Sequence, residues 1–197
     1  MTHPEIQDIQ LRIKAFYAPK DRAGCDDGFW GTKSETACRK YLRALMSSAP
    51  AGPSQDQASL TAAYGKPGDE SQLILIDVVG LGVRYEGKPV RTVRANKAAA
   101  PSLLAIIKEL ATFPEGQAAL TKYAGVYNNR PMRGGSLPSL HARGAAIDLD
   151  PDTNRNKQHW PTSATMPFQI IETFAKYGWL SAGAFWSRDA MHFQATI

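Results

Sequence analysis

Cysteine is scarce in this sequence, and long apolar runs are missing from it. Among 197 residues there are two cysteines, Cys25 and Cys38, too few for a disulfide scaffold and not spaced as C-x-x-C. We expect two ordinary thiols, with one local disulfide as the alternative. No window approaches the roughly eighteen apolar residues that cross a bilayer, and residues 1–10 contain Glu5 and Asp8 where an export signal would be basic and then apolar. We therefore expect synthesis in the cytoplasm without a signal peptide, and no stable membrane insertion.

The composition otherwise indicates a folded, basic protein. Hydrophobic residues make up 43% and charged residues 21%, which excludes wholesale disorder. The net charge of +5 favours an anionic partner, such as nucleic acid, a membrane surface or a cell-wall polymer. Lys and Arg are scattered and no nucleic-acid motif is present, so we expect no nucleic-acid partner.

The first 46 residues predict two short helices around an Asp-Gly turn. Apolar residues recur at steps of three and four within residues 4–18, the stripe of an amphipathic helix: Ile6, Ile9, Ile13 and Phe16. A second helix is expected after the turn, with Thr32 and Glu35 as a T-x-x-E capping box.

This N-terminal stretch resembles the peptidoglycan-binding type 1 module over residues 4–46. The resemblance is carried by the turn and by the residues that open the next helix: Asp27, Gly28, Phe29, Trp30, Gly31, Ser34 and Ala37. It departs from the module at Ser34, where Thr is usual, and at Tyr41-Leu42, where Phe-Gln is usual. The resemblance implies that residues 27–31 bind the cell wall. The alternative is a helical hairpin that only packs on the rest of the protein.

The remaining sequence predicts an α+β domain. Residues 47–71 are rich in Ser, Ala, Gly and Pro and read as a linker, so we place the boundary between units 1–53 and 54–197. A strand is expected at residues 72–79 and a hairpin at 83–94, around Gly87-Lys88-Pro89. Helices are expected from Pro101 to before Pro114 and over residues 166–177. No βαβ repeat is present, which favours a small antiparallel sheet with flanking helices.

Two segments of the C-terminal third carry candidate metal ligands. His141 and Asp148 lie in SLHARGAAIDLD, where Gly144, Ala146 and Asp148 are predicted to share one face of a strand. His192 lies in the closing SRDAMHFQATI, on a predicted strand. Two imidazoles and one carboxylate leave a fourth position on Zn²⁺ for water, as catalytic sites require. Asp189 is expected in the preceding turn, near the metal without binding it, as a general base.

These segments resemble the zinc peptidase family that includes VanY-like D-alanyl-D-alanine carboxypeptidases and phage L-alanyl-D-glutamate endopeptidases. The motif S-x-H-x-x-G-x-A-x-D is complete from Ser139 to Asp148, and D-x-M-H-F is complete from Asp189 to Phe193. The resemblance covers about residues 80–197 and implies Zn²⁺ held by His141, Asp148 and His192, with Asp189 as base. Departures are Gln194, where Glu is common, and residues 180–183, where Trp-Gly-Gly is common; they bear on substrate preference.

The stretch YNNRPMRGG, residues 127–135, resembles the arginine-bearing segment of that family. A guanidinium here would steady the oxyanion or hold a substrate carboxylate. Arg130 and Arg133 are both candidates; we favour Arg133 slightly, and surface charge is the alternative for the pair.

Three other features are given ordinary interpretations. Asp148, Asp150, Asp152 and Asn154 alternate like half of a calcium loop, but the Gly and distant Glu of an EF-hand are missing. We expect His3 and His159 to be exposed. We expect Trp160 and Trp186 to pack in the core, with a place in the substrate groove as the alternative.

Together these patterns predict a monomeric zinc peptidase that hydrolyses a stem-peptide amide of peptidoglycan. A basic enzyme without an export signal and with a wall-binding module suits a phage lysin that cuts L-alanyl-D-glutamate after release from the cytoplasm, an antimicrobial, bacteriolytic role. The alternatives are a D,D-carboxypeptidase of the same family and an inactive wall-binding protein. A decayed site would be expected to lose at least one of His141, Asp148, Asp189 and His192, and all four are present.

Overall fold

Seven helices and eight short strands form the part of the chain that the structure describes, a computed structural model covering residues 1–17, 26–132 and 134–197. Cys25 and Arg133 therefore lie outside the described residues. The helices are α1 (His3–Phe16), α2 (Thr32–Met46), α3 (Gln57–Tyr64), α4 (Ala100–Leu110), α5 (Pro114–Leu120), α6 (Phe168–Lys176) and α7 (Ala182–Trp186). The strands are β1 (Leu73–Asp77), β2 (Arg84–Tyr85), β3 (Lys88–Pro89), β4 (Thr92–Asn96), β5 (Tyr123–Gly125), β6 (Ala146–Leu149), β7 (Leu180–Ser181) and β8 (His192–Gln194). The α+β prediction is confirmed.

The sheet that matters for function has four antiparallel strands in the order β5-β6-β8-β7. Its central strands, β6 and β8, are short, and one face of the sheet is buried against α6. Phe193 of β8 stacks on Phe174 of α6, with ring centroids 3.8 Å apart. The opposite face of β8 carries His192 and Gln194, since side chains alternate along a strand.

A two-stranded sheet and a hairpin lie beside this sheet. β1 pairs with β4 in antiparallel register, with Ile76 opposite Val93. β2 and β3 form the predicted hairpin. Its turn is at Glu86-Gly87, where both residues have positive φ values of 49° and 77°, as a two-residue hairpin turn requires. The turn begins one residue earlier than predicted, because Lys88-Pro89 resembles turn residues but pairs as a strand.

The N-terminal helices pack on the rest of the protein. α2 lies against α6, where the Tyr41 hydroxyl donates to the Glu172 carboxylate at 2.6 Å. Arg12 of α1 lies 2.8 Å from the same carboxylate. Glu172 is buried, and this burial raises the pKa of its carboxyl. Cys38 is a buried thiol of α2, and burial raises its pKa above the usual range. The two-unit division at residue 54 stays a prediction.

One stretch that was predicted to be a linker contains a helix. α3 begins after Asp56, whose carboxylate accepts from the Ser59 backbone N–H at 2.8 Å. Leu60 and Tyr64 are buried in the core. The linker prediction is wrong here because α3 has only eight residues, and two buried side chains four apart do not produce a sustained period.

Other element ends differ from the predictions in small ways. α2 begins at Thr32 with Gly31 as its N-cap, so Thr32 and Glu35 do not form the predicted capping box. Thr2 and Glu5 instead form such a box at α1, where the Thr2 backbone N–H donates to the Glu5 carboxylate at 2.6 Å. α5 was not predicted, because Pro114 also fits the end of α4.

Within the described residues, no helix has the length and apolar character needed to cross a membrane.

Candidate metal centre

A short 3-10 helix, Leu140–Arg143, positions His141. The Ser139 hydroxyl caps this turn by accepting from the His141 backbone N–H at 3.3 Å. Gly144 ends the turn with φ +67°, a left-handed conformation that favours glycine. The fixed Ser and Gly of the motif therefore have structural roles on either side of the imidazole.

Gly144 does not belong to the strand that carries Asp148, which corrects one expectation. β6 begins at Ala146, so of the three residues only Ala146 and Asp148 share one face of the strand. A Cβ on Gly144 would lie 2.9 Å from the Asn96 backbone nitrogen and 2.6 Å from a methyl of Leu73. The close approach of β1 and β4 therefore explains why position 144 is a glycine, and crowding by a metal does not.

The pairing of β6 with β8 brings the remaining ligands together, since Asp148 and His192 are direct cross-strand partners. The Asp148 carboxylate lies 3.2 Å from His141 Nε2 and 3.0 Å from His192 Nδ1. The two ring nitrogens are 3.1 Å apart. One ligand atom from each residue lies within 4.8 Å of the others, so the three predicted ligands form one cluster that could hold a metal ion.

Hydrogen bonds on the far side of each ring fix which nitrogen faces the centre. His141 Nδ1–H donates to the Val126 carbonyl at 2.7 Å, which leaves the Nε2 lone pair pointing inward. His192 Nε2–H donates to Gln194 Oε1 at 3.1 Å, and the Gln194 amide N–H donates to Thr196 Oγ1 at 2.7 Å. These partners orient both imidazoles so that one ring nitrogen of each faces the Asp148 carboxylate.

The donor set fits Zn²⁺. Two imidazole lone pairs and a carboxylate that face one point repel each other unless a cation or shared protons lie between them. Burial opposes ionisation of Asp148, but the hydrogen bonds and charge of both histidines outweigh it and hold the pKa of this carboxyl well below its usual range. For His192 burial acts to lower the pKa, and the Asp148 carboxylate raises it nonetheless. The centre therefore favours an ionised carboxylate beside positive charge, and three N/O ligands leave one zinc position open.

A cleft opens onto this cluster and contains the predicted base. Asp189 lies in the turn before β8, as expected, with φ +58°; its carbonyl accepts from the His192 backbone N–H at 2.9 Å. Its side chain lines the same cleft as the three ligands. Arg130 lines the cleft as well, while Arg133 lies outside the described residues.

Several cleft residues were not found by sequence reasoning. Gln55 and Gln57 come from the segment taken as a linker, and Arg188 lies beside the base. Trp186 is 40% exposed and lines the cleft, so the expectation that it packs in the core is wrong. Trp160 is buried as expected, and its indole N–H donates to the Met166 carbonyl. A tryptophan at the exposed end of a five-residue helix gives no periodic signal that could have separated the two.

The turn predicted to bind the cell wall is organised by Gln10 of α1. The Gln10 amide N–H donates to the Phe29 carbonyl at 2.8 Å, and its Oε1 accepts from the Gly28 N–H at 2.8 Å. Gly28 has φ +78°, and the Asp27 carboxylate accepts from the Phe29 N–H at 3.0 Å. Gln10 was missed, although a polar residue on the buried stripe between Ile6 and Ile13 is an unusual feature of an amphipathic helix.

The two aromatic residues of this turn have different surroundings. Phe29 is 66% exposed, and its ring meets the His3 ring in a T-shaped arrangement with centroids 4.0 Å apart. Trp30 packs on Trp160, with centroids 5.2 Å apart. Of the two, Phe29 therefore has more exposed apolar surface to offer to a ligand.

The acidic alternation after Asp148 is not arranged as a calcium loop. The Lys122 ammonium lies 2.9 Å from the Asp150 carboxylate and 3.8 Å from that of Asp152. Asp150 also receives a hydrogen bond from Asn154. A lysine and an amide thus satisfy the oxygens that a calcium ion would need.

A family model described as D-alanyl-D-alanine carboxypeptidase, of the M15 peptidases, matches residues 133–195. The match supports the M15 peptidase family. It contains His141, Asp148, Asp189 and His192, and it leaves out residues 1–132. No curated protein and no solved structure matches the chain. The M15 match and the cluster of two histidines and an aspartate together support a peptidase with a metal centre.

Replacing any one ligand with alanine is expected to release the metal, because three protein ligands leave no redundancy. His141→Ala, Asp148→Ala and His192→Ala should each lower the zinc content of purified protein to a small fraction of the wild-type value. His159→Ala is the matched control, since His159 is exposed and outside the cluster. Metal analysis by mass spectrometry gives the readout, and near-stoichiometric zinc in His192→Ala would contradict the ligand set.

Proposed function

We propose that the protein is a zinc-dependent peptidoglycan hydrolase that cleaves an amide bond of the stem peptide. The observation that carries this proposal is the convergence of His141, Asp148 and His192 at the floor of an open cleft, with both rings oriented by second hydrogen bonds. The family match over residues 133–195, to a model described as D-alanyl-D-alanine carboxypeptidase, supports a peptidase reaction.

In the proposed reaction, the cluster residues, Asp189 and an arginine have separate roles. Zinc, when bound by the three ligands, would supply the Lewis acid that polarises the scissile carbonyl and acidifies water. The Asp189 carboxylate accepts the proton of the attacking water and passes it to the leaving amine. A guanidinium donates to the oxyanion that forms on the carbonyl, and Arg130 and Arg133 are the candidates. Val126 and Gln194 keep the imidazoles aligned throughout.

The bond we favour is L-alanyl-D-glutamate, which would make the protein a lysin of the kind that phages release. The leaving residue of that bond carries a free carboxylate on its α-carbon, and Arg130 and Arg188 give the cleft the positive charge to receive it. A D-alanyl-D-alanine bond presents a carboxylate at the same position, so the D,D-carboxypeptidase remains the second candidate. The two substrates differ beyond the leaving residue, where the endopeptidase substrate continues as stem peptide and the carboxypeptidase substrate ends.

Digestion of purified sacculi distinguishes these bonds. The endopeptidase should expose new amino-terminal D-glutamate, detected by labelling and mass spectrometry of the products. Release of free D-alanine without that terminus would assign the carboxypeptidase activity instead. Zinc-loaded protein that binds sacculi and cleaves nothing would favour the inactive wall-binding protein.

Asp189→Asn tests the base. The amide keeps the size of the side chain but removes the basic oxygen, so kcat should fall by about 10²- to 10⁴-fold, the contribution of a positioned proton transfer. Zinc content should stay near the wild-type value. Asp152→Asn, which alters an exposed carboxylate outside the cleft, is the control. Loss of zinc together with activity would make Asp189 a ligand, and unchanged activity would reduce it to a turn residue.

We further propose that residues 27–31 bind the cell wall through the exposed Phe29. Phe29→Ala should weaken binding to sacculi and lower activity on them several-fold, while activity on a small soluble muropeptide stays unchanged, because Phe29 does not line the cleft. Leu11→Ala is the matched control: Leu11 is an exposed apolar residue of α1 outside the turn. Equal sedimentation of wild type and Phe29→Ala with sacculi would count against wall binding by this turn.

A further inference from the structure

We propose that helix α2 positions the catalytic base through a clamp on the turn that leads to Asp189. The α2 clamp consists of the Glu35 and Arg39 side chains, the Ser187 hydroxyl and the Ala184 carbonyl. The proposal rests on the proposed function in one respect, since it takes Asp189 as the base. It assigns α2 a positioning role that is separate from binding the wall.

The clamp is built from three contacts between α2 and the end of α7 and from one ion pair within α2. The Ser187 hydroxyl donates to Glu35 Oε1 at 3.2 Å. Arg39 Nε–H donates to the Ala184 carbonyl at 3.3 Å, and Arg39 Nη2–H donates to Ser187 Oγ at 3.4 Å. Glu35 and Arg39 also pair with each other at 3.3 Å, one helical turn apart. Both side chains of α2 thus act on the same turn, two residues before Asp189.

This turn has a backbone that requires external support. Ser187 and Asp189 both have positive φ, 57° and 58°, a conformation that residues with a Cβ adopt only when their surroundings enforce it. Ser187 also ends α7, a helix of five residues that has little stability of its own. Hydrogen bonds to Ser187 from α2, a helix of 15 residues with one buried face, supply part of that support.

Close packing on the other side of the turn restricts it further. A Cβ on Gly183 would lie 2.8 Å from the Ala190 side chain and 3.3 Å from Trp160. Trp160 in turn packs on Trp30, the residue two before α2. Packing of α7 against Ala190 therefore restricts the Asp189 turn on one side, and the hydrogen bonds from α2 restrict it on the other.

An ion pair on the protein surface contributes little to stability, and Glu35 and Arg39 are about one third exposed. The clamp therefore matters mainly for the position of the Asp189 carboxylate. A general base must stay within hydrogen-bond reach of its proton, and a displacement of about 1 Å can cost up to 10²-fold in rate. Loss of the clamp should consequently lower kcat, with a much smaller effect on KM or on metal binding.

The test compares Glu35→Ala with Glu35→Gln in the full-length, zinc-loaded protein. Gln keeps an oxygen that accepts from Ser187, whereas Ala does not. Lys33→Ala is the matched control, because it removes an exposed charge from the same helix without touching α7. Each variant is assayed on a soluble muropeptide, analysed for zinc, and examined by hydrogen exchange over residues 184–191.

We expect Glu35→Ala to lower kcat by about 10-fold, within the range that misplacement of a catalytic group produces. KM should change less than about twofold, zinc content should be unchanged, and exchange over residues 184–191 should become faster. Glu35→Gln should recover most of the rate, and Lys33→Ala should match the wild type.

Three outcomes would overturn the proposal. Unchanged exchange in Glu35→Ala would show that α2 does not hold the turn. Faster exchange with unchanged kcat would remove its catalytic role. Glu35→Ala could instead lose zinc, change KM and lower thermal stability together. If Glu35→Gln did not restore these properties, Glu35 would be a purely structural residue. A wild type inactive on every wall substrate would instead remove the proposed function, and hydrogen exchange would still report whether α2 holds the turn.

Discussion

Pairing of β6 with β8 is the constraint on which the candidate site depends. The register sets Asp148 directly opposite His192, and the neighbouring pair, Ile147 and Phe193, anchors the two strands in the core. A slip by one residue would turn the carboxylate into the core and the apolar side chains into the cleft. The hydrophobic pattern of two very short strands therefore specifies the geometry of the His-Asp-His cluster as well as the fold.

The surrounding structure holds the side chains of this cluster in place. His141 stands on a one-turn helix closed by Ser139 and Gly144, and a backbone carbonyl fixes its tautomer. His192 is oriented through Gln194, whose own amide is held by Thr196. Such outer partners reduce the reorganisation that binding and reaction require. They also explain how Gln at position 194 can serve where a Glu is common, since the imidazole needs an acceptor and not a charge.

The sequence predicted which side chains form the cluster, because motif spacing and strand alternation are local properties. His141, Asp148 and His192 converge as expected, and Asp189 occupies the expected turn. The cleft walls could not be predicted in the same way. Arg188 and Trp186 line it only because α7 is held against the sheet, and no periodic pattern encodes that contact.

The fold shows the same division. α1 and α4 were predicted from apolar stripes, whereas α3 and α5 are too short to show one. Pro114 begins a helix as readily as it ends one, because its missing N–H is tolerated in the first turn. Gln10 was overlooked because it lies on a stripe otherwise read as apolar. These are cases in which tertiary contacts, and not local preference, decide the structure.

The position of α3 has a consequence for engineered chimeras. Arg143, beside the metal motif, reaches into this helix, donating to the Gly65 carbonyl, Gln57 Oε1 and Thr61 Oγ1 at 3.0–3.2 Å. The backbone N–H of Ile197, the last residue, donates to the Pro53 carbonyl. A fusion joint placed anywhere in the Ser- and Ala-rich stretch after residue 52 would cut through a wall of the cleft. Exchange of the N-terminal helices would have to splice the new segment upstream of Pro53 and keep the Gln55 to Tyr64 segment native. The new segment would also have to replace the contacts that Glu35 and Arg39 of α2 make with the end of α7.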